Sequence, residues 1–242
     1  MQTPVSPSVV ASLAPTGSLR VAINFGNPVL ARREPDGSAG GITADLGREV
    51  ARRLRVPVAF VDYAQAGDVF AGLDTEAWDV CFLAIEPVRA AKIAFTEPYV
   101  LIEGVYLVPA ASSLRSAAEV DRDGARIGVI VGSAYDLFLT RQLKHASLLR
   151  LPSPQAVVDA LGKGDVDLMA GVKPALEADL ARVPGSRLLP EPFMSIEQAM
   201  GTPRERTEAA AYLARLVGDL KRDGFMRDAF VRNGITGASL AP

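Results

Sequence analysis

Short apolar runs alternate along this chain with stretches whose apolar residues recur at helical spacing. Leu19 to Asn24 (LRVAIN) reads as a buried strand that ends in the polar turn Gly26-Asn27-Pro28. A second turn follows at Pro35-Asp36-Gly37. Thr43 is placed to cap the next helix, with Asp45 in its first turn. Leu46, Val50, Ala51 and Leu54 share one face of that helix, and Arg52 and Arg53 sit near the end where cations are favoured. Val58 to Val61 reads as a strand, Asp68 to Leu73 as a short helix and Trp78 to Leu83 (WDVCFL) as a buried strand. The alternation returns with a strand at Arg126 to Val131 and helices at Ser133 to Leu143 and Pro154 to Leu161. A further strand is expected at Val166 to Ala170. Such alternation predicts an α/β sheet. The last long segment, Glu205 to Phe230, carries the stripe Ala210, Leu213, Leu216, Val217 and Leu220. It is interrupted at Asp223-Gly224, and the tail from Thr236 is expected to be loose.

One segment nearly repeats. Val69-x3-Leu73-x4-Trp78-Asp79-Val80 matches Val157-x3-Leu161-x4-Val166-Asp167-Leu168, and each copy reads as helix, tight turn, buried strand. The match fits two similar lobes; it also fits any two helix-to-strand units.

Composition narrows the chemistry. At 242 residues, with 49% hydrophobic and 22% charged residues, the chain is ordinary globular material that can bury a large core. A net charge of −2 supplies no global basic field for nucleic acid. A single cysteine, Cys81, excludes an internal disulfide and a cysteine-based zinc site; it reads as a small buried hydrophobe. A single histidine, His145, leaves triad and two-histidine metal chemistry one residue to work with, and it reads as a surface residue. Met1 to Gly17 has neither a basic opening nor a continuous apolar run, so it does not read as a secretory signal.

The order of motifs carries a resemblance. LRVAIN is followed by Gly-Gly-Ile-Thr-Ala-Asp-Leu, Trp78-Asp79-Val80, Pro87-Val88-Arg89 and Phe95-Thr96-Glu97-Pro98-Tyr99. Later come Ile127-Gly128-Val129, Gly132-Ser133-Ala134 and Lys221-x2-Gly224-Phe225. From about Gly17 to Gly234 the chain resembles an extracellular solute-binding protein of family 3, the polar amino-acid-type receptor of ABC importers. The resemblance implies a type II periplasmic-binding fold: two α/β lobes joined by two crossing hinge strands. Residues 1–98 and 199–242 would form lobe one, residues 104–193 lobe two, and residues 99–103 and 194–198 the hinge strands. It also implies hinge closure on a small anionic solute, a membrane permease as partner, a monomer, no cofactor and no nucleic acid. A periplasmic location follows from the resemblance, and a cytoplasmic one if Met1 is the natural start.

By motif position Arg89 would clamp the ligand's carboxylate, since a planar guanidinium matches a carboxylate fork. Ser133, with Gly132 and Ala134 at a helix start, would hold the same carboxylate from lobe two; the plain alternative is an N-cap serine. Leu83 and Ala84 follow the WDVCFL strand, where only backbone could bond the ligand. Tyr63 is a candidate aromatic wall, or a core or rim aromatic. Asn24 and Asn27 are candidate polar contacts. The main departure is Val172, where amino-acid receptors of this family carry an aspartate for the α-ammonium; here an apolar residue is followed by Lys173, either a second anion contact or a solvated cation. The resemblance therefore extends to an amino-acid-like or an amine-free carboxylate. A dehydratase-like enzyme on the same fold is the alternative. It would need a buried carboxylic acid near Arg89, with Glu86, Asp62 and Glu103 as candidates. A ligand-sensing domain is a further alternative.

Overall fold

The computed structural model describes residues 5–242; Met1 to Pro4, which open the segment read as lacking a secretory signal, lie outside it. The chain order begins α1 (Pro7–Leu13), β1 (Leu19–Asn24), β2 (Arg32–Arg33), β3 (Ala39–Gly40), α2 (Ile42–Leu54), β4 (Val58–Tyr63), α3 (Ala66–Ala71), β5 (Cys81–Ala84), α4 (Pro87–Ala90) and β6 (Ile93–Pro109). It continues β7 (Arg126–Ile130), α5 (Ala134–Gln142), β8 (Ser147–Leu151), α6 (Pro154–Lys163), β9 (Leu168–Val172), α7 (Lys173–Asp179), β10 (Ser186–Leu188), β11 (Met194–Pro203), α8 (Thr207–Arg222), α9 (Phe225–Arg232) and β12 (Ala238–Leu240).

The chain divides into two units. The first holds the residues up to Val100, Glu197–Thr236 and Leu240–Pro242; the second holds Leu101–Ile196 and Gly237–Ser239. Both breaks in the long strands fall within the segments 99–103 and 194–198. In unit one, β1 runs parallel to β4 from Leu19↔Val58 to Asn24↔Tyr63, and β5 pairs antiparallel with β11 from Gln198↔Ala84 to Gly201↔Cys81. In unit two, β7 runs parallel to β8 and β9, and β9 pairs antiparallel with β6, where Gly104 faces Val172. Each unit thus lays helices on a sheet. The core of unit one gathers Val69, Trp78, Cys81, Leu83 and Ile93; that of unit two gathers Val105, Leu107, Val157, Met169 and Leu176.

Several expectations shift. The helix that Thr43 was expected to cap starts at Ile42, two residues earlier. Gly41, at φ 99, is its cap, and Thr43 lies inside with its hydroxyl donating to the Leu30 carbonyl at 3.1 Å. The strand expected at Trp78 begins at Cys81, and the strand expected at Val166 begins at Leu168. The tail is ordered: β12 pairs with β6, the Ala241 N–H donates to the Tyr99 carbonyl at 3.1 Å, and Lys221 Nζ donates to the Pro242 carbonyl at 2.6 Å. Helix α1 had no counterpart in the sequence reading, although Ser6 caps it and Pro7 fills its first position. No helix among the described residues is long and apolar enough to cross a membrane.

Candidate functional site

In unit one the chain leaves β5, passes Ile85-Glu86 and enters the single turn α4, opened by Pro87. This turn carries Arg89 back beneath the strand end. Its side chain is 1% exposed, and Nη1 donates to the Ala84 carbonyl at 3.2 Å. Burial draws the guanidinium pKa down to about 10, against the opposing field of the buried Glu86. At neutral pH Arg89 is therefore a cation held almost out of water. Arg89 and Ala84 are brought together; the Leu83 side chain instead points into the core cluster, together with Cys81, whose thiol burial pushes up.

Asn24 and Asn27 shape the loop after β1. Asn24 Oδ1 accepts the Gly26 N–H at 3.0 Å, and Asn27 Oδ1 accepts the Val29 N–H at 3.2 Å. These are Asx turns, and they leave the two side-chain amide groups as donors. Tyr63, paired with Asn24 in the sheet, packs against the cluster around Trp78. Gly72 is bare to admit it: a Cβ there would lie 2.4 Å from the Tyr63 hydroxyl.

In unit two Gly132, at φ 68, turns the chain from β7 into α5. Ser133 is the N-cap, its hydroxyl accepting the Asp136 N–H at 3.1 Å. Asp136 reaches back past the cap to accept the Gly132 N–H at 2.9 Å, which ties the turn before the helix to its first turn. Arg150 Nε, 2.9 Å from Asp136 Oδ1, balances that buried carboxylate. The first turn still presents the N–H groups of Ala134 and Tyr135, which have no intrahelical acceptor. Burial raises the Tyr135 phenol to about 12.

Val172 ends β9 and leads into α7 without a side-chain cap. Lys173 Nζ donates to Glu103 Oε2 at 2.7 Å, so the cation that the sequence left open is paired with a strand-β6 carboxylate. Of the three carboxylates considered for acid chemistry, Glu103 is thus engaged by Lys173 and Asp62 by Arg33 at 2.8 Å; Glu86 lies buried in the field of Arg89. Sequence reasoning missed Asp136, although its spacing from Ser133 is that of a capping box, and it missed the stacked rings of Tyr106 and Phe193, which lie 87 positions apart and leave no local signal. His145 is exposed beside Asp123 at 3.1 Å, as read. Among the described residues no group of His, Cys, Asp and Glu could hold a metal ion. A cavity of about 1110 Å³ in unit one, lined by the ends of α1 and α2 and by α8, contains none of these candidate residues.

The comparisons with known proteins agree with one another. The family model for bacterial extracellular solute-binding proteins, family 3, matches residues 19–232. A crystal structure of a mutant of ArgBP from T. maritima is 21% identical over 93% of this chain and 98% of its own, with a TM-score of 0.76. An ancestral amino acid-binding protein, a precursor of cyclohexadienyl dehydratase, is 18% identical over 92% and 97%, at 0.74. A histidine kinase sensor domain similar to periplasmic binding proteins is 16% identical over 93% and 98%, at 0.78. The fold is that of the type II periplasmic-binding proteins.

Proposed function

The chain belongs to the bacterial extracellular solute-binding proteins, family 3, and from that premise we propose that it is a receptor that captures a small carboxylate-bearing solute for an ABC-type importer. The observation that carries the reading is the burial of Arg89, 1% exposed, at the motif position where the resemblance puts the carboxylate clamp. A guanidinium withdrawn from water interacts more strongly with a bound carboxylate than an exposed one, because the surrounding dielectric is low. Ser133 and the first-turn N–H groups of α5 supply a second set of donors on the other unit, and Asn24 and Asn27 supply amide donors near the end of β1. Closure about the segments 99–103 and 194–198, a membrane permease as partner, a monomeric receptor and a periplasmic location belong to the same proposal; the family supports the permease and the location. The chemistry asked of these residues is binding; no proton transfer and no cofactor is needed.

The test is titration of the purified chain with a panel of small carboxylates by calorimetry. Arg89→Ala, and Arg89→Met, which keeps the side-chain volume, should each weaken binding more than tenfold, because hydrogen bonds to a charged partner are worth about 1.5–3 kcal/mol. Affinity within about twofold of the parent, in a variant whose circular dichroism is unchanged, would refute the assignment.

A further inference from the structure

Unit two carries an aromatic shelf beside Val172. Gly104 faces Val172 across the β6–β9 ladder, and Tyr106 faces Ala170 two residues on. Cross-strand partners share a sheet face, and so do residues two apart. Gly104, Tyr106, Ala170 and Val172 therefore lie on one face. Phe193 covers that face: its N–H donates to the Gly104 carbonyl at 2.9 Å, and its ring stacks on Tyr106 with centroids 4.4 Å apart and planes at 29°. Glycine at 104 is what admits the ring, since a Cβ there would stand 3.2 Å from Phe193 Cζ and 2.6 Å from Met194 Cγ. Phe138 of α5, the helix that Ser133 caps, extends the shelf with its ring centroid 6.0 Å from that of Phe193. Tyr106 is buried, whereas Phe138, Phe193 and Val172 remain partly exposed. Apolar rings kept partly open at the strand end that bears the candidate anchors present a surface for the body of a ligand.

Two carboxylates of unit two, on β6 and on α5, already have cationic partners, and Asp121, whose field reaches Tyr106, is held by backbone N–H groups. Glu103, next to Gly104, is held by Lys173 at 2.7 Å, and Asp136 is held by Arg150 at 2.9 Å. A free ammonium brought to Val172 would meet an apolar side chain and the adjacent Lys173, and desolvating a cation there without a carboxylate is costly. We propose that the solute is an aromatic carboxylic acid without a free α-ammonium, its ring resting on Phe193 and Phe138 beside Val172. This rests on the carboxylate reading above and adds the class of the ligand's body.

Calorimetry with 3-phenylpropionate, L-phenylalanine and butyrate separates the two. The first pair share a skeleton and differ by the ammonium; the third lacks the ring. The expected result is at least tenfold tighter binding of 3-phenylpropionate than of either other acid, with Phe193→Ala and the milder Phe193→Leu each weakening it at least fivefold. Arg89-dependent binding of L-phenylalanine or butyrate as tight as that of 3-phenylpropionate would overturn this inference and leave the carboxylate reading standing. So would indifference of 3-phenylpropionate to both Phe193 variants. Failure of all three acids and of the wider carboxylate panel to bind, or binding unaffected by Arg89→Met, would overturn the carboxylate reading and this inference with it.

Discussion

Arg89 and Tyr99 show two ways in which a polar group can sit in the interior of unit one. Both are 1% exposed. Arg89 keeps a hydrogen bond to the Ala84 carbonyl and the field of Glu86, so its charge is retained although burial weakens it. The Tyr99 hydroxyl has no hydrogen-bond partner among the described residues, and its ring meets Phe82 edge to face at 6.0 Å. Burial pushes its ionisation far above the ordinary phenol range, so it stays neutral at every working pH. An unsatisfied buried hydroxyl costs about 1–3 kcal/mol of desolvation, and deleting it recovers part of that cost. Tyr99→Phe should therefore leave the melting temperature unchanged or raise it by a few degrees. A fall of more than about 1 kcal/mol in chemical denaturation would show that the hydroxyl is satisfied after all.

At the scale of elements, the repeat seen in the sequence is a repeated ion-pair motif. In unit one the Arg20 N–H and Nε both donate to Asp79 Oδ2 at 3.0 and 2.9 Å, with Nη2 on Oδ1 at 2.7 Å. In unit two the Arg126 N–H and Nε donate to Asp167 Oδ2 at 2.8 and 3.2 Å, with Nη2 on Oδ1 at 2.7 Å. Each aspartate ties the loop before a strand, β5 or β9, to the start of its neighbour, β1 or β7. Both strands begin two to three residues later than their apolar runs suggest, and in each copy the aspartate before the strand spends its carboxylate on the neighbouring strand's arginine. The hydrophobic pattern therefore located every such unit but not its boundary. The same limit holds for α1 and β12, which are too short to show a period, and for Tyr106 and Phe193, which only the folded chain brings together. Ser133 was legible as a helix cap from the local Gly-Ser step, whereas Arg89 was singled out through the resemblance and not by a local pattern. The two copies differ in burial. Asp79 is fully buried and also takes Arg206 at 2.7 Å, whereas Asp167 and Arg126 are about half exposed. Removing one partner of a buried pair leaves the other uncompensated, at about 3 kcal/mol or more, while an exposed pair is worth about 0–1 kcal/mol. Asp79→Asn should thus destabilise the protein by several times more than Asp167→Asn in urea denaturation. Equal losses would mean that burial does not set the difference.

Over the whole molecule, carboxylates in both units are held ionised below their ordinary range. Glu49 in unit one is lowered chiefly by the hydrogen bond from Arg52, with help from Arg53. In unit two Asp167 is lowered by Arg126, and Asp121 is pulled down to about 2 by the N–H groups of Ala146, His145 and Lys144, at 2.9, 2.8 and 2.9 Å. A carboxylate whose folded pKa lies below its unfolded value, about 4, binds its proton more readily in the unfolded chain. Its contribution to stability is complete above pH 4 and is lost as the pH falls toward 2. Asp121 isolates the effect, since it pins the loop between α5 and β8 through backbone groups alone. Asp121→Asn should lower the melting temperature at pH 7, and the gap to the parent protein should narrow steadily between pH 4 and pH 2, where the parent carboxylate takes up its proton. Scanning calorimetry of both proteins across that range decides the matter: a gap that stays constant from pH 7 to pH 2 would mean that the loop is held by the shape of the side chain and not by its charge.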